Sequence, residues 1–204
     1  PFWFQLYMIK DRAFMRDLLA LAQAANCSAL VLTVDMPVPG ARYRDVRSGL
    51  AGAPGFQGDM RRAWQGMMRP FWALDVGLLG RPHQLGNIAP VLGAQSGMED
   101  FFAWMRGNFD ASITWADLDF IRANWSGPLI LKGILDVDDA LQAAQAGIDG
   151  IVVSNHGGRQ LDSCVSGVEL LPAVSAELGG KLSVLVDGGF RRGADVIKAM
   201  ALGA

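Results

Sequence analysis

The sequence predicts a parallel α/β fold and, within that class, a TIM (β/α)8 barrel represented by about five strands and broken by one long insertion. One observation is that five short apolar runs, at residues 2–7, 29–34, 129–131, 150–153 and 182–186, are continuous rather than alternating, as in a parallel sheet whose outer face is covered. Another is that helical patterns lie between the runs, and strand–helix alternation marks a parallel sheet. The third is that Tyr7, Asp35, Lys132, His156 and Asp187 all stand at the C-terminal ends of successive runs. A barrel gathers those ends around one mouth, whereas an open doubly wound sheet spreads them along an edge with a focus only at its switch point. A closed barrel needs eight strands and typically about 250 residues. Five runs in 204 residues therefore leave three strands unaccounted for.

In the first run, Gln5 and Tyr7 alternate with Phe4 and Leu6, so both polar side chains are expected to point into the barrel. A helix over residues 11–25 follows. The second run leads to Thr33, Val34 and Asp35. From about residue 36 to residue 110 the rhythm stops and no strand pattern is visible; a structureless insertion of that length is uncommon and usually functional. It carries Trp64, Met67, Met68, Phe71, Trp72 and Trp104, with Arg61, Arg62 and Arg69 interleaved. Two readings stand side by side: packing on its own barrel or a neighbouring subunit, and a peripheral membrane contact in which aromatics enter the interface and arginines meet anionic lipid. The pattern resumes with a helix over 114–124, opened by the capping pair Thr114 and Asp117 and repeating Trp115, Leu118 and Ile121. A helix over 136–146 starts on Asp136 and stops at Gly147. Val168, Leu171, Val174 and Leu178 form one helical face, and a last helix covers 191–202.

Composition narrows the function. Apolar residues make up 51% and charged residues 19%, which is globular rather than disordered. The net charge of -2 leaves no basic footprint for nucleic acid. Cys27 and Cys164 form no metal or redox spacing and read as free thiols of a reducing compartment. No signal-peptide pattern is visible, and no run of about 18 apolar residues predicts a bilayer span. The chain opens on Pro1 directly into a strand-like run and closes on Ala201, Leu202, Gly203 and Ala204, where a helix would hand over to a strand, so a piece of a longer chain is expected.

The chemistry concentrates after the fourth and fifth runs. Ser154-Asn155-His156-Gly157-Gly158-Arg159-Gln160 follows a buried strand, and its two glycines let the backbone turn sharply. An imidazole and a guanidinium at one mouth suit a substrate with a removable proton and a carboxylate. His156 can take the proton, and Arg159 can hold the carboxylate through two parallel hydrogen bonds. A lone structural histidine is the competing reading. The run Val186-Asp187-Gly188-Gly189-Phe190-Arg191-Arg192-Gly193 exposes backbone N–H groups at a helix start. With Arg191 it reads as an anion site, most simply for phosphate, against a plain tight turn with surface arginines. Lys132 is either a salt-bridged strand end or a cation facing the mouth. Asp35 beside an imidazole would fix its tautomer and stabilise its protonated form.

Taken together, Phe4-Gln5-Leu6-Tyr7, Thr33-Val34-Asp35, Leu131-Lys132-Gly133, the stretch from Ser154 to Gln160 with Leu161 and Asp162, and the stretch from Asp187 to Gly193 resemble the FMN-dependent 2-hydroxy-acid dehydrogenases and oxidases, in the family's order and over nearly the whole chain. The resemblance implies that His156 is the active-site base, with Asp35, Tyr7 and Lys132 completing the catalytic set. It gives the substrate carboxylate to Arg159 and Arg42, and a substrate contact to Tyr7. Gln5, Thr33 and Lys132 would contact the flavin ring, with the lysine charge stabilising its reduced anionic form. Asp187, Gly188, Gly189 and Arg191 would hold the ribityl phosphate end. The run from Thr33 to Asp45, with Gly80-Arg81-Pro82-His83 and Gly86-Asn87-Ile88, looks most like the bacterial respiratory L-lactate dehydrogenase branch.

That branch implies a homo-oligomer, a tetramer, bound peripherally at the cytoplasmic face of the inner membrane. It oxidises L-lactate to pyruvate and passes electrons to a quinone or cytochrome acceptor of the respiratory chain. The family's early substrate tyrosine, first flavin-contacting strands and final phosphate element would lie outside this chain. Two alternatives remain: an oxidase of the same fold with oxygen as acceptor, and a non-catalytic truncated barrel whose edges bind a partner.

Overall fold

A computed structural model describes residues 1–38, 40, 42–48, 55–80, 86–93 and 98–204. Pro39, Ala41, Arg81, Pro82 and His83, which belong to the branch-specific motifs, lie outside the described residues. The chain divides into two compact units, Pro1–Gly40 with Asn108–Ala204, and Ala41–Gly107.

The first unit is one parallel sheet and its crossover helices. In chain order it contains β1 (Trp3–Tyr7), α1 (Arg12–Ala24) and β2 (Ala29–Thr33). The second unit then contributes α2 (Tyr43–Ser48), α3 (Gly55–Met67), α4 (Pro70–Trp72) running into a π-helical turn (Ala73–Leu79), α5 (Ala89–Leu92) and most of α6 (Met98–Asn108). The first unit resumes with α7 (Asp117–Asn124), β3 (Leu129–Ile134), α8 (Val137–Gln145), β4 (Gly150–Val153), a 3-10 turn (His156–Gly158), α9 (Gly167–Leu178), β5 (Ser183–Val186) and α10 (Gly193–Ala201).

The five strands pair in sequential order, all parallel. A doubly wound sheet reverses strand order at its switch point; a barrel does not, and no reversal occurs among the described residues. The expected partial barrel is what the chain forms. The register decides what each face carries. Tyr7 pairs with Thr33, Thr33 with Lys132, Lys132 with Val152, and Val152 with Leu185. One layer of the inner face therefore runs across all five strands, and Ala29, Val31, Ile130 and Val152 cluster on that same face with Leu185. Alternate residues Leu30, Leu32, Leu129, Leu131, Ile151 and Val153 are almost completely buried; they form the other face, where Met15 and Leu19 of α1, Ile121 of α7 and Leu171 and Val174 of α9 are also buried.

Local chemistry starts the helices where expected. Asp11 accepts from the N–H groups of Ala13 and Phe14, and Asp136 from those of Asp138 and Asp139, the usual N-cap arrangement. The 114–124 helix begins later, at Asp117, because residues 114–119 first form tighter i to i+3 hydrogen bonds. Thr114 instead donates its N–H and hydroxyl to the Asp117 carboxylate.

The insertion corrects the sequence expectation. It contains no strand among the described residues, but it is helical rather than structureless. In α3, Phe56, Met60, Trp64 and Met67 follow a 4-4-3 spacing that makes one helical stripe, and all four are more than half exposed. The stripe escapes a reading keyed to buried periodicity because nothing in the described residues covers it.

Asp149 ties three first-unit elements at the N-terminal end of the sheet. Its carboxylate accepts from the Leu129 N–H at 2.8 Å and pairs with Arg122 at 2.8 Å; Arg122 also donates to the Gly127 and Gly147 carbonyls. Partial burial acts to raise the Asp149 pKa, but the Leu129 amide and the Arg122 guanidinium outweigh it and hold the carboxyl below its ordinary range. A depressed folded-state pKa adds stability that is present above the ordinary carboxylate pKa and is lost as pH falls through the folded value. Asp149→Ala is expected to lower the unfolding free energy at neutral pH by about 1–2 kcal/mol, a figure kept low because the carboxylate is half exposed and screened. In urea titrations at successively lower pH, the gap between wild type and variant should narrow below the ordinary carboxylate range.

Candidate active site

The site is assembled where β2, β3 and β4 end. Beyond β2 the chain turns at Asp35, and beyond β4 it enters the turn at His156. Asp35 Oδ1 lies 2.9 Å from His156 Nδ1, with the two side chains only 11% and 15% exposed. A carboxylate accepting at Nδ1 selects the tautomer with its proton there, leaving Nε2 as the basic nitrogen. The local backbone is unusual at His156. His156 has φ +56°, and Gly157 and Gly158 continue in the same left-handed region. A non-glycine residue there costs of order 1–3 kcal/mol, and such strain collects at functional sites. Asn155 holds the turn: its side-chain oxygen accepts from the Gly158 N–H at 3.2 Å, and its amide donates to the Val165 carbonyl.

Gly133 explains how the carboxylate fits. The β3–β4 register shifts at this residue, and its φ is +107°. A Cβ placed on it would lie 2.4 Å from Asp35 Cβ and 2.7 Å from Asp35 Oδ2. The irregularity and the missing side chain together open the space that Asp35 occupies. Asp35 Oδ2 itself is buried without a hydrogen-bond partner among the described residues.

Lys132 stands one residue earlier on the inner face. Its ammonium donates to Ser154 Oγ at 3.0 Å and pairs with Asp187 Oδ2 at 3.2 Å. Ser154 is fully buried, and its hydroxyl also accepts from the His156 N–H at 3.1 Å. Beside this network Gln5 Nε2 donates to Thr33 Oγ1 at 2.8 Å and lies 3.5 Å from the Tyr7 hydroxyl. Gln5, Thr33, Lys132 and Ser154 thus form a polar rim on the inner face.

The rim fits the flavin expected from the motifs. Amide, hydroxyl and ammonium groups side by side match a ring edge that presents both carbonyls and an N–H, and an ammonium has three donors, of which two are engaged among the described residues. Asp187 Oδ1 is a buried acceptor with no partner among the described residues, which suits a polyol hydroxyl. Gly188 and Gly189 follow at φ +92° and +77°, with open space where a Gly189 Cβ would stand. The anion site is narrower than the sequence suggests: the N–H groups of Arg191 and Arg192 are taken by the Asp195 carboxylate at 3.1 and 3.0 Å. The exposed Arg191 side chain and the glycine turn are what remain there for a phosphate.

Arg159 follows the 3-10 turn on an exposed position. Its backbone is held by the chain beyond Asp35: a Cβ on Gly40 would lie 2.3 Å from the Arg159 carbonyl oxygen, and Gln160 Nε2 donates to the Val38 carbonyl at 3.1 Å. Arg42 belongs to the second unit, where its carbonyl accepts from the Asp45 N–H just as α2 begins. Gln5, Tyr7, Thr33, Asp35, Lys132, His156 and Asp187 are therefore brought to one end of the first unit. Sequence reasoning assigned no role to Ser154, Asn155 or Gly133. The signals were present: Ser154 keeps the parity of Lys132 and Val152, and a glycine after a strand-end lysine marks an irregular strand.

Comparison with known proteins finds relatives along the whole chain. The family model described as FMN-dependent dehydrogenase matches residues 1–204. An L-lactate dehydrogenase of Caulobacter sp. (strain K31) is 60% identical over the whole chain, which covers 53% of that protein. An L-lactate dehydrogenase of Acinetobacter baylyi (strain ATCC 33305 / BD413 / ADP1) is 56% identical over the whole chain, covering 52% of it. Among solved structures, a mandelate oxidase crystallised with (S)-4-hydroxymandelic acid superposes with a TM-score of 0.76 at 38% identity, over 99% of this chain and 50% of that one. The chain thus spans about half the length of the curated relatives it matches.

Gly133→Ala tests the constraint behind the Asp35–His156 contact. The new methyl must displace Asp35 and adopt a backbone conformation that L residues rarely take, so a loss of about 1–3 kcal/mol in stability is expected. Nitrogen-15 NMR of the imidazole should show the proton no longer confined to Nδ1. An unchanged tautomer in the variant would mean that Gly133 does not set this contact.

Proposed function

The chain belongs to the FMN-dependent dehydrogenase family, and from that premise we propose that it works in the oxidation of L-lactate, or another short L-2-hydroxy acid, to the 2-oxo acid. The observation that carries the proposal is the Asp35–His156 pair at 2.9 Å, set in the mouth beside the Lys132 rim and three residues before Arg159. His156 Nε2, made basic by the tautomer that Asp35 selects, takes a substrate proton. Asp35 then stabilises the imidazolium. Arg159 holds the carboxylate with its planar fork, and Tyr7 contacts the substrate. Bound FMN supplies the two-electron acceptor. Gln5, Thr33 and Lys132 would place its ring, where the Lys132 ammonium would favour negative charge, and Asp187, Gly188, Gly189 and Arg191 would hold its ribityl phosphate end.

The relatives named L-lactate dehydrogenase favour lactate as the substrate, and a quinone or cytochrome of the respiratory chain as the electron acceptor goes with that reading. The likeness to a mandelate oxidase favours the alternative, an oxidase that uses oxygen. Anaerobic L-lactate should bleach the visible flavin spectrum of the full-length protein, and hydrogen peroxide yield in air separates the two acceptors. In His156→Gln, flavin should stay bound while the reduction rate falls roughly 10²–10⁴-fold. Near-normal reduction in that variant would remove His156 as the base.

For the second unit we propose a peripheral contact with the cytoplasmic face of the inner membrane. The supporting observation is the exposed stripe Phe56, Met60, Trp64 and Met67 on α3, followed by exposed Met68, Phe71 and Trp72, with Arg61, Arg62 and Arg69 interleaved. No helix among the described residues is long and apolar enough to cross a membrane, and interfacial apolar burial with lipid-charge attraction needs none. Deleting residues 51–93 from the full-length protein should leave lactate-driven flavin reduction largely intact and abolish flotation with anionic liposomes. Packing of this stripe between subunits of a homotetramer predicts the opposite pair of results, retained flotation and a broken oligomer in sedimentation.

A further inference from the structure

Phe109 has no role in the proposed chemistry, yet it is placed against one of its parts. Its ring stacks on that of Tyr7 with centroids 5.2 Å apart and planes 20° from parallel. Two independent restraints put it there. Phe109 forms an isolated antiparallel bridge with Ile9, flanked by hydrogen bonds from the Lys10 N–H to the Asn108 carbonyl at 2.8 Å and from the Asp110 N–H to the Met8 carbonyl at 3.0 Å. The chain that follows is then anchored by Arg12, which pairs with Asp110 at 2.7 Å and Asp117 at 2.9 Å and donates to the Ile9 carbonyl at 2.6 Å. The Asp110 carboxyl is held below its ordinary range, by the Ser112 hydroxyl first and with Arg12 contributing, so this anchor stays ionised at neutral pH.

Tyr7 ends β1 on the inner face, next in register to Thr33. Its hydroxyl lies 3.5 Å from Gln5 Nε2, so one end of the ring is met by a polar group and one face by Phe109. A tyrosine at a strand end has two side-chain torsions, and a clamped aromatic neighbour limits both.

We propose that Phe109 is a positioning residue: it fixes the Tyr7 ring so that the phenolic hydroxyl is presented to the hydroxy-acid substrate in one orientation. The inference rests on the reading of Tyr7 as a substrate contact. Phe109 acts through Tyr7 alone, with no contact of its own to substrate or flavin.

The test uses the full-length holoenzyme. An aromatic pair is worth about 0.5–1.5 kcal/mol beyond area burial, which converts to about a 2- to 13-fold effect. Phe109→Ala should therefore raise KM for L-lactate by about that factor, with a smaller change in kcat. Phe109→Tyr, which keeps the ring, should restore the wild-type KM. In a Tyr7→Phe background, which lacks the hydroxyl, Phe109→Ala should add no further increase. An equal increase in both backgrounds, or failure of Phe109→Tyr to rescue, overturns the proposal, because either result means Phe109 acts by some route other than the Tyr7 hydroxyl.

A second measurement does not depend on the substrate. With ring-labelled tyrosine, the Tyr7 carbon-13 resonances (assigned by their loss in Tyr7→Phe) should move and narrow in Phe109→Ala as the ring is released. Unchanged Tyr7 resonances overturn the positioning role. If L-lactate fails to reduce the wild-type flavin, the functional reading fails by itself, and the labelled-tyrosine result still decides whether Phe109 holds the ring.

Discussion

The hydrogen bond between Asp35 and His156 joins residues 121 positions apart, and it demands three departures from regular structure. The chain beyond β2 must turn at Asp35, β3 must break its register at a glycine, and a histidine must take up a left-handed conformation. A buried carboxylate is costly unless it is paired, and here one of its oxygens has no partner among the described residues. The strained histidine adds about 1–3 kcal/mol against folding. In a fold whose net stability is only about 5–15 kcal/mol, such a cluster is a poor solution for stability and an intelligible one for holding an imidazole in one tautomer.

Around that pair, charge is balanced locally. Lys132 would be an expensive cation on the inner face if it stood alone, because desolvation disfavours its charged form. Asp187, just beyond β5, offsets the charge, and Ser154, just beyond β4, takes a second donor. The same serine accepts from the His156 N–H, so one buried hydroxyl links the cation to the strained turn. The three strands β3, β4 and β5 are thus coupled by polar contacts at their C-terminal ends and by apolar contacts beneath. The layer of Tyr7, Thr33, Lys132, Val152 and Leu185 passes from one kind of contact to the other across the sheet.

The insertion follows a different physical logic. Its helices bury little of their own apolar surface: Phe56, Trp64, Phe71, Leu78 and Leu79 are all more than half exposed. An exposed apolar patch of this extent marks an interaction surface more often than a free one. The second unit therefore contributes surface where the first contributes geometry. Its last helix, α6, runs directly into Phe109, the residue against which Tyr7 is stacked.

Strand positions, the alternation of strand and helix and the cluster of polar residues at strand ends follow from the order of residues alone. Continuous apolar runs, N-cap aspartates and glycine-rich turns are local features whose physics needs no distant partner. The motif from Ser154 to Gln160 was legible for the same reason, as was the family it resembles. Tertiary structure decided the rest. Only the strand register shows that Tyr7, Thr33 and Lys132 share one layer, and only folding shows that Gly133 makes room for Asp35. The helical character of the insertion was hidden because its apolar stripe is not paired with a core. The stack of Phe109 on Tyr7 was invisible because it depends on an antiparallel bridge between segments about 100 residues apart; contacts at that separation are set by packing and register, which periodicity within a short window cannot encode.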